Sequence, residues 1–446
     1  MKILCISLGC DKNLVDTEMM LGLLNHDGHT FTDDEQEADI IVVNTCCFIN
    51  DAKEESVNTI LEMAELKKSG SCKALIVTGC MAERYKQEIL DEIPEVDGIL
   101  GTSTYDEISN VLNQVLGGGE HVSCFHDLNA LPQVETERMV TTGGHYAFLK
   151  IAEGCDKRCT YCIIPDLRGS YRSVPMERLV KEARQLADQG VRELILVAQE
   201  TTLYGVDLYK KKMLPELLRQ LAAIDGIYWI RIQYCYPEEI TDELIETIKT
   251  EEKVCHYLDV PIQHASDAIL KRMGRRTNQA QLREMIGKLR REISDMALRT
   301  TMIAGFPGET EEDHEEVMAF IDEMEFERLG VFAYSAEEDT PAATFPDQVP
   351  QEVKEERRDA IMELQQEIAF DKSEAMVGRI LDVMIEGKVA DEPAYVGRTY
   401  MDAPNVDGYI FVNSGELFMS GDFVRVKVTG SAEYDLIGEV YDESAE

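Results

Sequence analysis

Glu153-Gly-Cys-Asp-Lys-Arg-Cys-Thr-Tyr-Cys162 sets three cysteines at positions 155, 159 and 162. Three thiolates this close in sequence bind three irons of a 4Fe-4S cube and leave the fourth iron without a protein ligand. An open iron is a place for chemistry, whereas four-cysteine ligation makes an electron carrier. Structural zinc is the alternative, but it wants four ligands, usually as two Cys-x2-Cys pairs, and no second pair stands at suitable spacing.

Around this motif the 446-residue chain is long enough for roughly two to four domains. Its 44% hydrophobic and 29% charged residues are ordinary for a globular protein. No apolar run reaches a membrane-spanning length and no basic-then-apolar leader opens the chain, so neither a membrane span nor a signal peptide is expected. Twelve cysteines are too few here for a disulfide-rich secreted fold and point to thiols and metal ligands in a reducing, cytoplasmic setting. The balance of 44 Lys and Arg against 85 Asp and Glu gives a net charge of −41. Such a surface repels phosphate backbones and attracts basic partners, although a generally acidic proteome produces the same excess.

Upstream, Ile3 to Leu8, Ile40 to Val43 and Leu75 to Val77 read as buried parallel strands with helices between them. Each is followed closely by a cysteine: Cys10, Cys46 and Cys80. Parallel strands end on one sheet edge, where ligands bind, so cysteines about 35 residues apart in sequence are brought to one place. A second 4Fe-4S cluster with one free iron is the functional expectation. The bland one is three small buried hydrophobes. Cys47 is ambiguous and should point away if Cys46 is a ligand.

Gly117–Gly119 and the irregular stretch to Gly144 read as a linker. Six strand-like runs follow, at 148–151, 194–198, 229–233, 257–262, 299–304 and 329–334, alternating with amphipathic segments such as 176–189. Repeated βα units imply parallel strands with right-handed crossovers. Cys155 follows the first, at the carboxyl end where barrels of this kind place active sites. A long charged helix is expected from Pro350 to about Ser373, lying along the barrel. Short alternating runs at 380–385, 394–399, 408–412 and 423–428 then indicate a small antiparallel barrel. The expected division is 1–116, a linker at 117–140, a core at 141–372 and a C-terminal module at 373–441. The fold class is α/β: a flavodoxin-like parallel sheet, a partial (β/α)6 barrel and a small OB-like β-barrel.

The Cys-x3-Cys-x2-Cys motif with an aromatic before its last cysteine resembles the radical S-adenosylmethionine (SAM) superfamily. Leu8-Gly-Cys-Asp-Lys-Asn-Leu-Val-Asp-Thr-Glu18, Asn44-Thr-Cys46 and Thr78-Gly-Cys-Met-Ala82 resemble the methylthiotransferase family, and the likeness runs over nearly the whole chain. The resemblance implies two 4Fe-4S clusters: a radical one on Cys155, Cys159 and Cys162, and an auxiliary one on Cys10, Cys46 and Cys80. It implies SAM as cofactor, with Tyr161 near the adenine. Ile303-Ala-Gly-Phe-Pro-Gly-Glu309 is another matching segment, in which Gly305 and Phe306 would line the SAM site and the glycines would let backbone approach the adenosine. His264, at a strand end, reads equally as a polar site residue or as a hydrogen-bonded structural one. No acid-base constellation stands out, which is no obstacle where cofactors carry the hard step.

Within that family some branches modify tRNA adenosine and one modifies a ribosomal protein. The C-terminal module resembles the family's TRAM domain, which commonly grips RNA. Here residues 374–446 hold five Lys or Arg against fifteen Asp or Glu, a net of −10. RNA binding by this module is therefore not expected. Arg398-Thr-Tyr-Met-Asp-Ala-Pro-Asn-Val-Asp-Gly408 resembles the ribosomal-protein branch, whose substrate is an aspartate of the basic small-subunit protein number twelve. Asp402 and Asp407 are the expected contacts to that substrate. Two SAM molecules are implied per turnover, one as methyl donor and one as radical source, with an electron donor such as flavodoxin or ferredoxin and a sulfur source left unspecified. The rivals are a tRNA methylthiotransferase and a non-enzymatic iron–sulfur electron carrier or scaffold.

Overall fold

The computed structural model describes residues 1–70, 72–134 and 137–442. Strands β1 (Lys2–Ser7), β2 (Thr30–Phe31), β3 (Ile40–Thr45), β4 (Ala74–Gly79), β5 (Gly98–Leu100) and β6 (Val122–Cys124) make one parallel sheet in the order β2-β1-β3-β4-β5-β6. The first five follow the flavodoxin-like order, whose switch point lies between β1 and β3. Strands buried on both faces explain the unbroken apolar runs. Ile40, Val42 and Ile76 pack under the helix Asp11–His26, while Ile41, Val43, Leu75 and Val77 pack under the helix Asn50–Ser69. The expected linker supplies β6 at one edge. Three partly exposed residues carry too little apolar pattern to announce a strand. Residues 135 and 136 of that stretch lie outside the described residues.

Six parallel strands follow in sequence order around the second domain: β7 (Tyr146–Lys150), then, after a small ribbon of β8 (Ala152–Glu153) and β9 (Arg172–Ser173), β10 (Glu193–Val197), β11 (Trp229–Ile232), β12 (Val254–Asp259), β13 (Ala297–Ala304) and β14 (Arg328–Ala333). This is the expected incomplete barrel, open between β7 and β14. Outward residues such as Leu149, Leu196, Ile232 and Leu258 form one core with the surrounding helices. The long helix runs Gln351–Ala375 and buries Ile361 and Ile368 in that core, along the barrel as expected.

The C-terminal module is a closed barrel, β15 (Ile380–Lys388), β16 (Ala394–Arg398), β17 (Ile410–Asn413), β18 (Phe423–Ala432) and β19 (Asp435–Val440), in the order β15-β16-β17-β19-β18. Closure pairs β17 with β19 in parallel, the one departure from an antiparallel barrel.

This barrel caps the amino-terminal mouth of the large one, opposite Cys155. Trp229, Cys255, Tyr257 and Ala297, all near strand starts, share a core with Val383, Ile385, Tyr395 and Ala403. Glu193, wholly buried at the start of β10, takes Arg231 Nε at 2.7 Å and Arg398 at 2.7 Å; Arg398 reaches Glu386 at 2.6 Å. The expectation that Asp402 and Asp407 contact substrate is corrected here. Asp402 is 2% exposed and pairs with Arg328 at 3.2 Å. Asp407 accepts from Tyr257 Oη at 2.9 Å and the Ala403 N–H at 2.8 Å, with Arg299 at 3.4 Å. These carboxylates are interior because strand-start arginines need partners there.

Breaking a buried pair strands the remaining charge. Arg398→Met should cost about 3 kcal/mol and lower the thermal unfolding midpoint. Asp402→Lys with Asp407→Lys should do the same, before any change in binding. A double variant that melts like the wild type would return these residues to the surface.

Candidate active site between two cysteine sets

Each N-terminal cysteine is set by a strand end. Cys10 caps the helix Asp11–His26 after β1, Cys46 follows β3, and Cys80 opens the short helix Cys80–Tyr85 after β4. The Ser56 hydroxyl fixes the turn at Cys46, accepting its N–H at 3.0 Å and donating to its carbonyl at 2.8 Å. Gly9, at φ +87°, lies so close that a Cβ there would stand 2.8 Å from Cys46 Sγ; Gly79, at φ +92°, would press one to 2.5 Å from Thr45 O. Only glycine permits these approaches. Burial first, then Cys80, pushes the Cys46 thiol up to about 12. Burial also raises Cys80, with Arg168 opposing and Cys10 adding. Making several such buried thiols thiolates together needs a strong positive charge beside them. Cys47 is fully buried in the cluster of Ile41, Val43, Val77 and Met81, with the Arg84 guanidinium bonded to its sulfur and Cys80 nearby.

The second set lies in the loop after β7. Gly154, at φ +76°, runs so near the Gly169–Ser170 backbone that a Cβ would stand 2.2 Å from Ser170 O. Cys155 donates its N–H to Gly169 O at 3.1 Å, Thr160 donates to Met273 O at 2.9 Å, and Cys162 closes a turn onto Cys159 O at 3.0 Å. Cys155 and Cys159 are buried, while Asp156 and Arg158 between them are exposed. Tyr236 Oη lies 3.6 Å from Cys159 Sγ. Among the described residues no three His, Cys, Asp or Glu side chains are placed to hold a single metal ion. A cube differs in taking one thiolate per iron, and both sets offer three soft donors around one space.

Tyr161 stands edge-on to Phe306 at 6.4 Å between ring centroids, and Phe306 packs on Tyr334 at 5.2 Å. The Gly305 and Phe306 N–H groups both donate to Glu309 Oε2, at 2.8 and 3.0 Å. The open sides of the glycines face side chains: a Cβ at Gly305 would meet Lys354 Cγ at 2.3 Å, and one at Gly308 would meet Arg272 Cζ at 2.7 Å. His264 is structural in its contacts, accepting from Ser266 N–H at 3.0 Å and facing Glu309 at 3.3 Å.

Sequence reasoning missed Glu200. It is wholly buried past the end of β10, 3.8 Å from Lys157, and its Oε2 has no hydrogen-bond partner. Burial pushes its carboxyl up to about 7. The available signal was a glutamate two residues past the buried run 194–198, where the βα loop opens. Also missed was the seam that joins the two sets. Arg168 donates to Asp16 at 2.8 Å, to Glu153 at 3.1 Å and to Asn13 Oδ1, while Lys150 pairs with the same Asp16 and, at 2.6 Å, with Glu153. Val15 packs beside it against Phe148, Ile195 and Val197 inside the barrel. On the far side of the barrel opening, Lys53 pairs with Glu337 at 2.5 Å, and Arg84 donates to Glu338 O at 2.8 Å. The first domain thus spans the open barrel, joined to it on both sides of the opening.

Residues 2–101 match the Uncharacterized protein family UPF0004, 149–321 the Radical SAM superfamily and 377–440 the TRAM domain. The ribosomal protein uS12 methylthiotransferase RimO of Lachnoclostridium phytofermentans is 68% identical over 438 residues, covering 98% of this chain and 99% of that protein. The chain belongs to the RimO family of radical SAM methylthiotransferases. RimO proteins of Acetivibrio thermocellus, 50% identical over all of this chain and 99% of theirs, and of Clostridioides difficile, 48% identical over both chains entire, agree. Among solved structures, the radical S-adenosylmethionine methyltransferase TsrM of Kitasatospora setae shares the fold, with a TM-score of 0.56 at 13% identity over 76% of this chain and 73% of that one. OxsB, a cobalamin-dependent S-adenosylmethionine radical enzyme, does so at 0.52 and 12%, over 81% and 56%.

Because Arg168 serves two carboxylates in the seam, Arg168→Leu should weaken docking of residues 1–116 by about 3 kcal/mol. The checking measurements are calorimetry, expected to resolve a separate early transition, and limited proteolysis, expected to cut near residues 125–140. A single wild-type transition would show that the seam does not hold the domains.

Proposed function

We propose that this chain is a methylthiotransferase acting on ribosomal protein uS12, placing a methylthio group on the β-carbon of one aspartate. The observation that carries it is the facing of two three-cysteine sets across one ion-paired seam. Cys155, Cys159 and Cys162 hold one 4Fe-4S cluster, and Cys10, Cys46 and Cys80 the other. When bound, the first would supply the electron for reductive cleavage of SAM and the second would supply sulfur, with a further SAM as methyl donor. The target C–H is one that acid-base catalysis at neutral pH can hardly ionise, so radical abstraction suits it.

The chain's residues position the reactants. Tyr161 and Phe306 give an apolar wall of the kind an adenine packs on. Glu200, whose Oε2 makes no hydrogen bond and lies 3.8 Å from the Lys157 ammonium, would accept a hydrogen bond from the ammonium of SAM. Tyr236 steadies the Cys159 sulfur. A one-electron donor such as flavodoxin or ferredoxin would serve the site, in the reducing cytoplasm. The tRNA reading is not favoured, because the module that grips RNA elsewhere in the family carries a net of −10 here. The electron-carrier reading is not favoured either, because each set leaves one iron without a thiolate.

Anaerobic reconstitution should give about eight irons per chain. Replacing Cys155, Cys159 and Cys162 by Ala should remove half and abolish 5'-deoxyadenosine formation. Replacing Cys10, Cys46 and Cys80 should remove the other half, leave SAM cleavage and end methylthio transfer to uS12, read by mass spectrometry. Normal product from the second variant would return those cysteines to a packing role, and methylthiolated tRNA in place of uS12 would overturn the substrate.

A further inference from the structure

Lys12 lies in the first turn of the helix that Cys10 caps. It is 6% exposed, yet its ammonium forms no ion pair with any carboxylate among the described residues; it sits 3.3 Å from the centroid of the Tyr234 ring. The contrast with its neighbours is sharp. Lys150 and Arg168, equally buried on the same seam, each take both Asp16 and Glu153. A buried cation without a direct ion pair is costly, and an aromatic face compensates only part of that.

The nearby carboxylates are committed elsewhere. Asp11 accepts from Tyr234 Oη at 3.3 Å and feels the Lys12 charge, yet it forms no ion pair with it. Asp259 accepts the Tyr234 N–H at 3.1 Å and pairs with Arg299 at 3.1 Å. Tyr234 itself is held at φ +60°, a conformation that a tyrosine adopts only when its surroundings impose it. The effect is to hold the ring under Lys12.

The place of this pair matters as much as its charge. Lys12 is two residues from Cys10, and Tyr234 is two residues from Tyr236, whose hydroxyl meets Cys159. The ammonium therefore stands beside the first cysteine set, on a ring whose loop reaches the second through Tyr236. We propose that Lys12, seated on Tyr234, binds the side-chain carboxylate of the substrate aspartate; this rests on the function proposed above. A carboxylate gripped there fixes the β-carbon one bond away, between the radical source and the sulfur. It also separates aspartate from asparagine by charge and from glutamate by length. An adenosine has no group that would use it.

The test measures binding by reconstituted holoprotein with two probe pairs: uS12 against uS12 carrying Asn at the modified position, and N-acetylaspartate amide against N-acetylasparagine amide. Wild type should favour the carboxylate form roughly thirtyfold. Lys12→Gln should erase that ratio and raise KM more than it lowers kcat, while Lys12→Arg should keep most of it. Iron content and the cluster EPR signals report integrity. If Lys12→Gln lost auxiliary iron while the ratio survived in Lys12→Met, Lys12 would be a counter-charge to the cluster and the proposal would fall. An unchanged ratio in Lys12→Gln overturns it as well. If wild type failed to modify uS12 but preferred the aspartate amide through Lys12, the carboxylate seat would stand and the substrate assignment alone would fail.

Discussion

Asp16, Glu153, Lys150 and Arg168 meet in the seam between the first two domains, none of them more than 8% exposed. Buried ion pairs seldom stabilise a protein relative to well-packed apolar groups, because desolvation offsets the attraction. They are directional, however, and an apolar seam can slide where an ion-paired one cannot. Asp16 sits on the helix that begins at Cys10, Glu153 precedes Cys155 by two residues, and Arg168 ends the helix that follows Cys162. Arg168 also donates to Asn13, whose own Nδ2 donates to Leu8 O and Thr45 O at 3.0 Å each. One guanidinium therefore ties the β1 and β3 strand ends to the loop of the second cysteine set. The relative placement of the two sets follows from that tie, and Val15 against Phe148 supplies the apolar burial beside it.

The two mouths of the large barrel are closed by different chemistry. At the strand starts, Glu193, Arg231 and Arg398 are fully buried with the C-terminal barrel packed over them, so this end is a structural plug. At the strand ends the first domain lies over the opening, held on one side by the seam and on the other by Lys53 and Arg84 at the Glu337–Glu338 loop. Between these two coverings, the charges buried in the seam interact more strongly than they would in water.

Much of this was legible in the sequence because the strands are buried on both faces and so read as unbroken apolar runs. Ile40–Thr45 and Ala74–Gly79 are buried at every position, and all six strands of the large barrel fall where the runs placed them. The short strand Val122–Cys124 and the final strand Asp435–Val440 carry no such run, and each owes its place to a partner strand already present. The charged interior was illegible for another reason. Asp402 and Asp407 look like any acidic loop until Arg328 and Arg299, more than 70 residues away in sequence, arrive beside them. Glu200, Arg168 and Lys12 are hidden in the same way, since composition gives the type of a charge and not its depth.

That distinction in depth also resolves how so acidic a chain selects an acidic residue. The surplus of −41 lies mainly on the surface, where it acts over about a Debye length, 10 Å at moderate salt, and draws in a basic protein as a whole. A field of that kind cannot choose one side chain from its neighbours, and it repels every aspartate equally. Choice needs a charge of the opposite sign at contact distance, in a place from which water is excluded. Lys12 is such a charge, desolvated on Tyr234 and outside any direct ion pair, while Asp11 and Asp259 bond to Tyr234. The surface brings the substrate in by its cations, and the interior then distinguishes it by an anion.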